Sequence, residues 1–490
     1  MFMNEPIRML SPEEMEAIHT NAVRILDEVG IRLESDEAID YLVSGGCRAN
    51  RDKHIVTFPP DVVNRWVDTM RSDYDNPDRK PEKMSVRYSH IKFRKEPHHV
   101  YRNFSVNTGG FCCFIYDLEG NRRNADIEDV RRSINLAHHL EHITYMGLPV
   151  SAQEVPHTLR PVTMAAELVK RTSKLGGVET FRRSDVGYIT EIAEIAAGGK
   201  KELRENPILV GYGEVRSPLC IDANMAEIMI EYIKLGLPQS LDTMPNAGAT
   251  APATAAGVLA LGVAETLAGL VLGYCVDENA FMSIDVCPSF VDMSSGLYRY
   301  FSPERGSLLS AQIQMIAEYY GCPSGTHGGK TDSCYFNIQT GMDKALSMLM
   351  PVLAGSCGVG VVGQLENAVT FSPVQLVIDN EIAGFIKNML KGIDVNEDTL
   401  AFDTVKEVGP GGEFMTSEHT LNHFRKSSYF SELWDHLAWS AAHADTHVSM
   451  IERAAAKAEE LMNRDPEPVL SKEQEAEIDE VVKRAEMESR

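Results

Sequence analysis

Apolar and polar residues follow a repeated strand-then-helix pattern from Asp126 onward. Short apolar stretches bounded by turn residues predict strands, and longer stretches with apolar residues three or four positions apart predict helices. The predicted strands are 143–150, 174–181, 207–215, 239–244, 280–287, 322–327, 356–363 and 400–408. The predicted helices are 162–171, 185–197, 223–235, 254–272, 308–319, 337–353, 373–390 and 417–424. This alternation is typical of parallel strands joined by crossover helices.

The number of repeats favours one α/β architecture over another. Eight repeats over roughly 280 residues match a closed (β/α)8 TIM barrel, which typically takes about 250 residues. An open doubly wound sheet is the alternative, and it normally has a G-x-G-x-x-G turn that opens a helix. Gly358-Val-Gly360-Val-Val-Gly363 has that spacing but lies within a predicted strand. We therefore predict a barrel over residues 126–427.

Extensions are predicted on both sides of this barrel. Ser11 and Glu14 form a capping box with Pro12 at the first helical position, which predicts a helix that stops at Gly30. Further short helices and a strand complete an N-terminal α+β extension over 1–125. It ends in a hairpin formed by 101–117 and a turn at 118–121. Residues 428–490 are expected to form a helical C-terminal segment.

Composition and charge narrow the class of protein. Of the 490 residues 43% are hydrophobic, as in an ordinary globular protein, and 47 basic against 71 acidic residues give a net charge of −24. This charge disfavours binding to nucleic acid and to anionic membranes. Nine cysteines without a C-x-x-C pair indicate free thiols and a cytoplasmic location. Nothing at the N-terminus resembles a signal peptide, and the apolar window 247–274 contains Glu265, which favours a buried helix over a membrane span.

The ends of the predicted strands indicate where chemistry would occur, because active sites of barrels lie at the carboxyl ends of the strands. Those ends contain Glu179, Thr180, Tyr212, Glu214, Asp242, Thr243, Asp285, His327, Gln364, Glu366, Lys406 and Glu407. Carboxylates and an aromatic ring are suited to a cationic ligand. The alternative for any one of these acids is that it caps the following helix, as Asp185 and Asp222 are expected to do.

Other chemistries find weaker support. His138/His142 and His419/His423 each repeat at i, i+4, but neither pair has the glutamate of the H-E-x-x-H pattern, so we predict no metal of the protein's own. No G-x-S-x-G elbow and no Walker loop is present. The glycine-rich stretch 409–412 is either an anion-binding loop or a tight turn.

Several motifs together resemble the trimethylamine methyltransferase family over the chain up to about residue 450. They are Leu10-Ser-Pro-Glu-Glu14 through Val29-Gly30-Ile31, Gly109-Gly110-Phe111 to Asp117, Ala264-Glu265-Thr-Leu-Ala-Gly269, Thr331-Asp332-Ser333, Gln339-Thr-Gly341, Ser372-Pro-Val-Gln375 to Asp379-Asn380-Glu381, and Gly409-Pro-Gly-Gly412 with His419-Thr-Leu421. The resemblance implies a (β/α)8 barrel that transfers a methyl group from an amine to the Co(I) corrinoid of a separate carrier protein. A homo-oligomer is also expected.

One departure from the family affects the expected substrate. Members that demethylate trimethylamine contain pyrrolysine in the region that looks like 326–332, whereas this chain has ordinary residues there. The branch without pyrrolysine is linked to quaternary amines such as glycine betaine, proline betaine or carnitine, and we expect a substrate of that class.

The chemistry of a quaternary amine agrees with the residues at the strand ends. Loss of a methyl group releases a neutral tertiary amine and needs no proton donor, so positioning under the cobalt is the main task of the protein. We expect Tyr212 to face the ammonium group, with Glu214, Asp285 or Glu366 as counter-charge and Gln364 nearby. His327 or the backbone at Gly328 and Gly329 would meet a substrate carboxylate, and Gly328, Gly329, Thr331 and Asp332 are the candidates that face the corrinoid.

Two other functions remain open on the residues alone. The chain would also suit a non-catalytic protein that binds betaines or other quaternary ammonium compounds. A lyase or isomerase that uses two carboxylates as acid and base is the third possibility.

Overall fold

Short parallel strands run through the middle of the chain and are joined by longer helices, so the protein has an α/β structure. The computed structural model describes residues 5–76, 99–211, 213–443, 447–465 and 467–489. Most of the predicted elements are present. The main differences concern the strands, which are shorter than predicted, and the identity of one of them.

The N-terminal extension begins with the predicted capped helix, Pro12–Glu28. Ser11 Oγ accepts a hydrogen bond from the Glu14 amide at 3.2 Å, and the Glu14 carboxylate accepts one from the Ser11 amide at 2.8 Å. Two orphan amides at the helix start are thereby satisfied, so the predicted capping box is confirmed. The other elements of the extension are the helices Asp36–Ser44 and Pro60–Asp75, the strands Ile31–Leu33, Arg48–Asn50 and Ile55–Thr57, and the short 3-10 helix Arg51–Lys53.

Parallel ladders occupy the central part of the chain. In the largest of them Ser105–Thr108 lies between Tyr145–Met146 and Gly358–Val359, and Gly358–Val359 also pairs with Gly325–Thr326. The other ladders join Gly177–Val178 to Val210–Gly211, and Gly213–Val215 to Gln239–Thr243 and Met282–Ser283. All these pairs are parallel, so the carboxyl ends of the strands within each ladder lie on one side.

The prediction of a strand at 400–408 was wrong. The structure has two short helices there, Glu397–Leu400 and Phe402–Val408, and the Asn396 side chain caps the first. The alternating apolar residues that suggested a strand lie on the surface, where Leu400 is 64% and Phe402 is 73% exposed. Alternation without a neighbouring strand to pair with does not produce a sheet.

Ser105–Thr108 is the parallel strand that the sequence pattern did not separate from its surroundings. The sequence pattern predicts it as part of a hairpin over 101–117. The hairpin itself is confirmed but begins later, since Phe114–Tyr116 pairs with Arg122–Asn124 across the predicted turn at 118–121. The remaining strands are Cys220–Ile221, Asn246–Ala247, Ser289–Val291, Tyr298–Arg299, Gln364–Leu365 and Thr370–Phe371.

All eight predicted helices of the central part are confirmed in position. The helices from residue 127 to 389 are Ile127–His139, Arg160–Arg171, Arg183–Ala197, Lys200–Glu205, Ala223–Lys234, Ala255–Val276, Pro303–Gln314, Ile338–Leu353 and Pro373–Met389. A π-helical turn, Met315–Tyr319, follows the helix Pro303–Gln314. Beyond the two short helices near residue 400 come Glu418–Ser427, Trp439–Ala442, Met450–Met462 and Lys472–Ser489.

The most apolar helix, Ala255–Val276, lies in the core. It is long and apolar enough to span a membrane, but 83% of its most apolar window is buried within the protein. Its single carboxylate, Glu265, is fully buried and accepts hydrogen bonds from Ser217 Oγ at 2.7 Å and the Leu219 amide at 2.8 Å. The prediction of a buried helix is therefore confirmed, and its buried acid has hydrogen-bond partners.

Candidate functional site

A cavity of about 310 Å³ lies at the carboxyl ends of the parallel strands. Residues from every one of the three ladders line it, which places the cavity where parallel strands of α/β proteins commonly bind ligands. The lining residues with polar or aromatic side chains are Asn107, Thr108, Phe111, Tyr145, Glu179, Glu214, Asp242, Asp285, Cys287, Tyr300, Thr326, His327, Lys330 and Asn367.

Four carboxylates form one wall of the cavity, and we call Glu179, Glu214, Asp242 and Asp285 the acid wall. Glu214 and Asp242 lie directly opposite each other on paired parallel strands, so their side chains project from the same face of the sheet. Asp285 accepts hydrogen bonds from Gln312 Nε2 and Ser324 Oγ, both at 2.9 Å. The wall therefore concentrates like charges in a small enclosed volume.

The electrostatics of the acid wall favour a bound cation. Burial raises the pKa of Glu179 to about 8, and the charge of Glu214 acts in the same direction. The pKa of Glu214 is also raised, first by burial and then by Asp242. Glu214 has considerable accessible surface, but that surface faces the cavity, so burial still governs its pKa. A cation among these groups would supply the missing counter-charge and lower both pKa values.

Glu179 and Glu214 face the cavity without a protein partner. Among the residues that the structure describes, no donor lies within hydrogen-bonding distance of either carboxylate. Glu214 is exposed to the cavity and Glu179 is half-buried. Both carboxylates are therefore open to a ligand that carries positive charge.

Aromatic side chains face the same cavity. Tyr145, Tyr300 and Phe111 line it, and burial raises the pKa of Tyr300 to about 12, so its ring remains neutral at ordinary pH. The backbone of Tyr300 is held in place because its amide donates to Asp332 Oδ1 at 2.6 Å and its carbonyl accepts from Arg305 Nη1 at 2.6 Å. Ring faces next to carboxylates are suited to an alkylated ammonium group.

Lys330 is the cationic group of the cavity. Its side chain is only 5% exposed, and its Nζ lies 4.1 Å from the centroid of the Tyr300 ring. Within the described part of the chain, no acceptor forms a hydrogen bond or an ion pair with it. Burial lowers the pKa of Lys330. The cavity thus contains an acid wall and one buried ammonium group that makes no ion pair with it.

Some of the substrate-binding residues predicted from sequence line the cavity, and others make contacts elsewhere. Glu214, Asp285 and His327 line the cavity together, as expected for a common site. Tyr212 lies outside the described residues. Glu366 lies beside the hairpin, where its carboxylate pairs with Arg122 Nε at 2.8 Å. Gln364 is fully buried and donates to the Gly109 carbonyl, so it supports the loop that borders the cavity.

The four residues expected to face the corrinoid have packing roles in the structure. A Cβ at Gly328 would meet the Ser347 carbonyl oxygen at 2.3 Å, and the Gly329 amide donates to the Gly360 carbonyl at 2.9 Å. Thr331 Oγ1 donates to Asp343 at 2.6 Å. Asp332 accepts the Tyr300 and Phe301 amides. These contacts hold the loop that presents His327 and Lys330 to the cavity.

Sequence reasoning missed Asn107, Phe111, Tyr145, Cys287, Tyr300 and Lys330 as residues that line the cavity. Asn107 and Phe111 belong to the strand that was not recognised and to the loop after it. Tyr145 and Tyr300 lie outside the predicted strand ends. Lys330 directly follows Gly328-Gly329, just after the predicted strand 322–327, so its position near a strand end could have indicated a site residue.

The two histidine pairs considered as metal ligands differ in whether their side chains come together. His138 Nδ1 lies 3.0 Å from Thr172 Oγ1, whereas His142 lies against Gly384, so this pair does not converge. His419 and His423 stack with ring centroids 4.2 Å apart, and His423 Nε2 lies 3.4 Å from Asp398 Oδ2. Asp398, His419 and His423 are the one group of donors in the described residues with metal-like proximity, and they lie on the surface away from the cavity.

Similarity in sequence to known proteins extends over nearly the whole chain. A family model described as trimethylamine methyltransferase (MTTB) matches residues 3–489. The chain is 28% identical to a glycine betaine methyltransferase of Desulfitobacterium hafniense (strain Y51), covering 96% of this chain and 95% of that protein. It is 29% identical to a trimethylamine methyltransferase MttB of Desulfitobacterium hafniense (strain DSM 10664 / DCB-2), covering 94% and 91%. A solved structure of the Methanosarcina barkeri monomethylamine methyltransferase (MtmB) aligns over 92% of both chains with a TM-score of 0.40 and 11% identity.

Proposed function

Since the chain belongs to the trimethylamine methyltransferase family and is a methyltransferase, we propose that it takes a methyl group from a betaine-type quaternary amine, such as glycine betaine, proline betaine or carnitine. The methyl acceptor is the reduced corrinoid of a separate carrier protein, which acts as the second substrate. The observation on which this proposal depends is the cavity that combines the acid wall with Tyr145 and Tyr300.

The acid wall supports a permanently charged substrate. Glu179 and Glu214 have raised pKa values and no hydrogen-bond donor among the described residues. A quaternary ammonium group supplies positive charge without offering a hydrogen bond. It therefore matches carboxylates that lack donors, and Tyr145 and Phe111 are aromatic residues that line the same cavity.

The protein's contribution to the reaction is orientation. The C–N bond breaks with its electron pair left on nitrogen, so the amine departs neutral and no general acid is required. The acid wall holds the ammonium group, and the walls of the cavity limit the access of water to the reacting methyl group. The corrinoid, when its carrier docks, supplies the nucleophile. None of the residues that line the cavity is needed as a proton source in this transfer.

We also infer that the parallel strands close into a (β/α)8 barrel, in which Val210–Gly211 and Gly213–Val215 count as one of eight strands. The ladders that pair Ser105–Thr108 with Gly358–Val359 support closure, since they join the first of these strands to the last. Contacts between strands without a ladder support it further. Cys322 Sγ and Ser324 Oγ both hydrogen-bond to the 284–285 segment, and a Cβ at Gly176 would meet the Met146 carbonyl oxygen at 2.7 Å.

A cytoplasmic location and self-association belong to the same proposal. The nine cysteines are free, which is typical of a reducing compartment. Large apolar side chains are exposed in the segment from Met389 to Trp439, including Ile393, Phe402, Met415 and Leu421. An exposed apolar surface of this kind is common at interfaces between subunits.

A substrate panel tests the proposed reaction. The purified protein and its reduced corrinoid carrier are incubated with glycine betaine, proline betaine, carnitine, choline and trimethylamine. Methylation of the carrier is followed by absorbance, and the amine products are followed by mass spectrometry. We expect methylated carrier and one tertiary amine, with one methyl group fewer than the substrate, per methyl transferred with at least one betaine. Activity with trimethylamine alone, or with no quaternary amine, would overturn the proposal.

A further inference from the structure

We propose that Lys330 binds the carboxylate of the substrate while the acid wall binds its ammonium group, so that the cavity selects zwitterionic betaines over amines without a carboxylate. This inference rests on the proposed function and assigns a specificity-determining residue to the same cavity. It differs from the sequence-based expectation, in which His327 or the backbone at Gly328 and Gly329 met the carboxylate.

The first observation is the isolation of a buried charge. Lys330 is 5% exposed and lines the cavity, yet no described residue accepts a hydrogen bond from its Nζ. A buried ammonium group without a partner is unfavourable unless another group compensates its charge. An anionic group of a ligand in the cavity is positioned to do so.

The second observation is that Lys330 is held in place. On one side the Gly329 amide donates to the Gly360 carbonyl at 2.9 Å, and on the other Thr331 Oγ1 donates to Asp343 at 2.6 Å. The Tyr300 ring, 4.1 Å from Nζ, limits the directions that the side chain can take. A side chain fixed before binding loses little conformational entropy when a ligand arrives.

The third observation is the separation of opposite charges. The acid wall lies at the ends of the strands from Gly177–Val178 to Met282–Ser283, and Lys330 follows the strand Gly325–Thr326. The charge of Lys330 lowers the pKa of Glu214, but burial and Asp242 shift this pKa more strongly in the other direction. The two charges therefore share a cavity without forming an ion pair, and a small molecule with both charges is complementary to that arrangement.

Calorimetry on the purified protein tests this assignment without the carrier. The ligands are glycine betaine, choline as the cation without a carboxylate, and 3,3-dimethylbutanoate as the anion that has carbon in place of nitrogen. The variants are Lys330→Met, Lys330→Arg and the control Lys174→Met. Lys174 is also a mostly buried lysine with a lowered pKa, but it donates to the Leu140 carbonyl at 2.7 Å and does not line the cavity.

We expect Lys330→Met to weaken the binding of glycine betaine by about ten- to a hundredfold, because a hydrogen bond to a charged group is lost. Binding of 3,3-dimethylbutanoate should fall below detection, and the Kd of choline should change by less than about twofold. Lys330→Arg should restore part of the betaine affinity, since it keeps the charge. Lys174→Met should bind all ligands as the wild type does.

Two results would overturn the inference in different ways. Equal losses for glycine betaine and choline, or no loss for either, would remove Lys330 from carboxylate binding and leave the proposed function intact. If the wild-type protein binds neither compound, both the proposed function and this inference are overturned. Because Lys330 has no partner among the described residues, its replacement breaks no hydrogen bond there, and the thermal midpoint of each variant verifies that it is folded.

Discussion

Two buried lysines fourteen positions apart have opposite environments. Lys344 is fully buried and donates to the Asp379 carboxylate at 2.8 Å and to the Gly329 carbonyl. Asp379 in turn accepts the Gly363 amide at 2.6 Å and Gln375 Nε2 at 2.7 Å. We call Lys344, Asp379 and Gln375 the Lys344 network. Lys330 has the same charge and nearly the same burial, but no described residue pairs with it.

This difference in partners indicates that Lys344 has a structural role, whereas Lys330 is available to a ligand. The Lys344 network satisfies its own donors and acceptors, and it ties the loop at Gly329 to the helices Ile338–Leu353 and Pro373–Met389. The cavity keeps Lys330, Glu179 and Glu214 without such partners. Burial alone thus does not distinguish the two roles, whereas the presence of partners does.

The largest expected effect is on stability, from Lys344→Met. The substitution leaves the Asp379 carboxylate buried without its counter-charge, so we expect the free energy of unfolding to fall by about 3–5 kcal/mol. Urea unfolding followed by circular dichroism measures it. The double variant Lys344→Met/Asp379→Asn should recover part of the loss, and a loss below about 1 kcal/mol would show that the network contributes little.

Glu214→Gln should act on binding instead of stability. Removing one carboxylate of the acid wall should weaken the binding of choline and glycine betaine by about ten- to a hundredfold, since a charge contact in an enclosed site is lost. The matched control is Glu366→Gln, because Glu366 was predicted from sequence for the same role but pairs with Arg122. Calorimetry that finds the two variants equal would contradict the assignment of Glu214 to the cavity wall.

The affinity for choline should rise with pH because of Glu179. The pKa of Glu179 is about 8 in the unliganded protein, raised by burial and then by Glu214, with Arg160 opposing. Below that pH the carboxyl is protonated and must lose its proton to face a cation, so binding releases a proton. We expect about a tenfold tighter Kd at pH 9 than at pH 7, with a plateau above about pH 9. Glu179→Gln should flatten this dependence, and a wild-type Kd that is constant with pH would refute the role.

The smallest effect tests the unpaired charge directly. Lys330→Met removes a buried ammonium group that makes no hydrogen bond or ion pair with a described residue. The gain should outweigh the lost contact with the Tyr300 ring, so the unliganded protein should become more stable, with a thermal midpoint higher by about 2 °C. Differential scanning calorimetry without ligand measures the shift. Lys174→Met should show no such gain, because it leaves the Leu140 carbonyl without its donor. A lower midpoint for Lys330→Met would mean that Lys330 stabilises the fold.

Local patterns were sufficient for the helices and for part of the site. The capping box at Ser11 and the apolar helix Ala255–Val276 depend on residues within a few turns of each other, and both were predicted. Glu214, Asp285 and His327 were predicted because each ends an apolar stretch, and parallel pairing brings such ends together. The strand Ser105–Thr108 was not recognised because its partners, Gly358–Val359 and Tyr145–Met146, are distant in the chain.

By itself the sequence determined the α/β class, the capped N-terminal helix, the buried helix and the acidic character of the strand ends, because these follow from spacing and composition over short stretches. Only the tertiary structure decided that Glu366 pairs with Arg122, that Lys344 is neutralised by Asp379, and that Lys330 has no described partner. The physical reason is that the fate of a charge depends on its burial and on the groups within a few ångströms, and distant segments of the chain supply both.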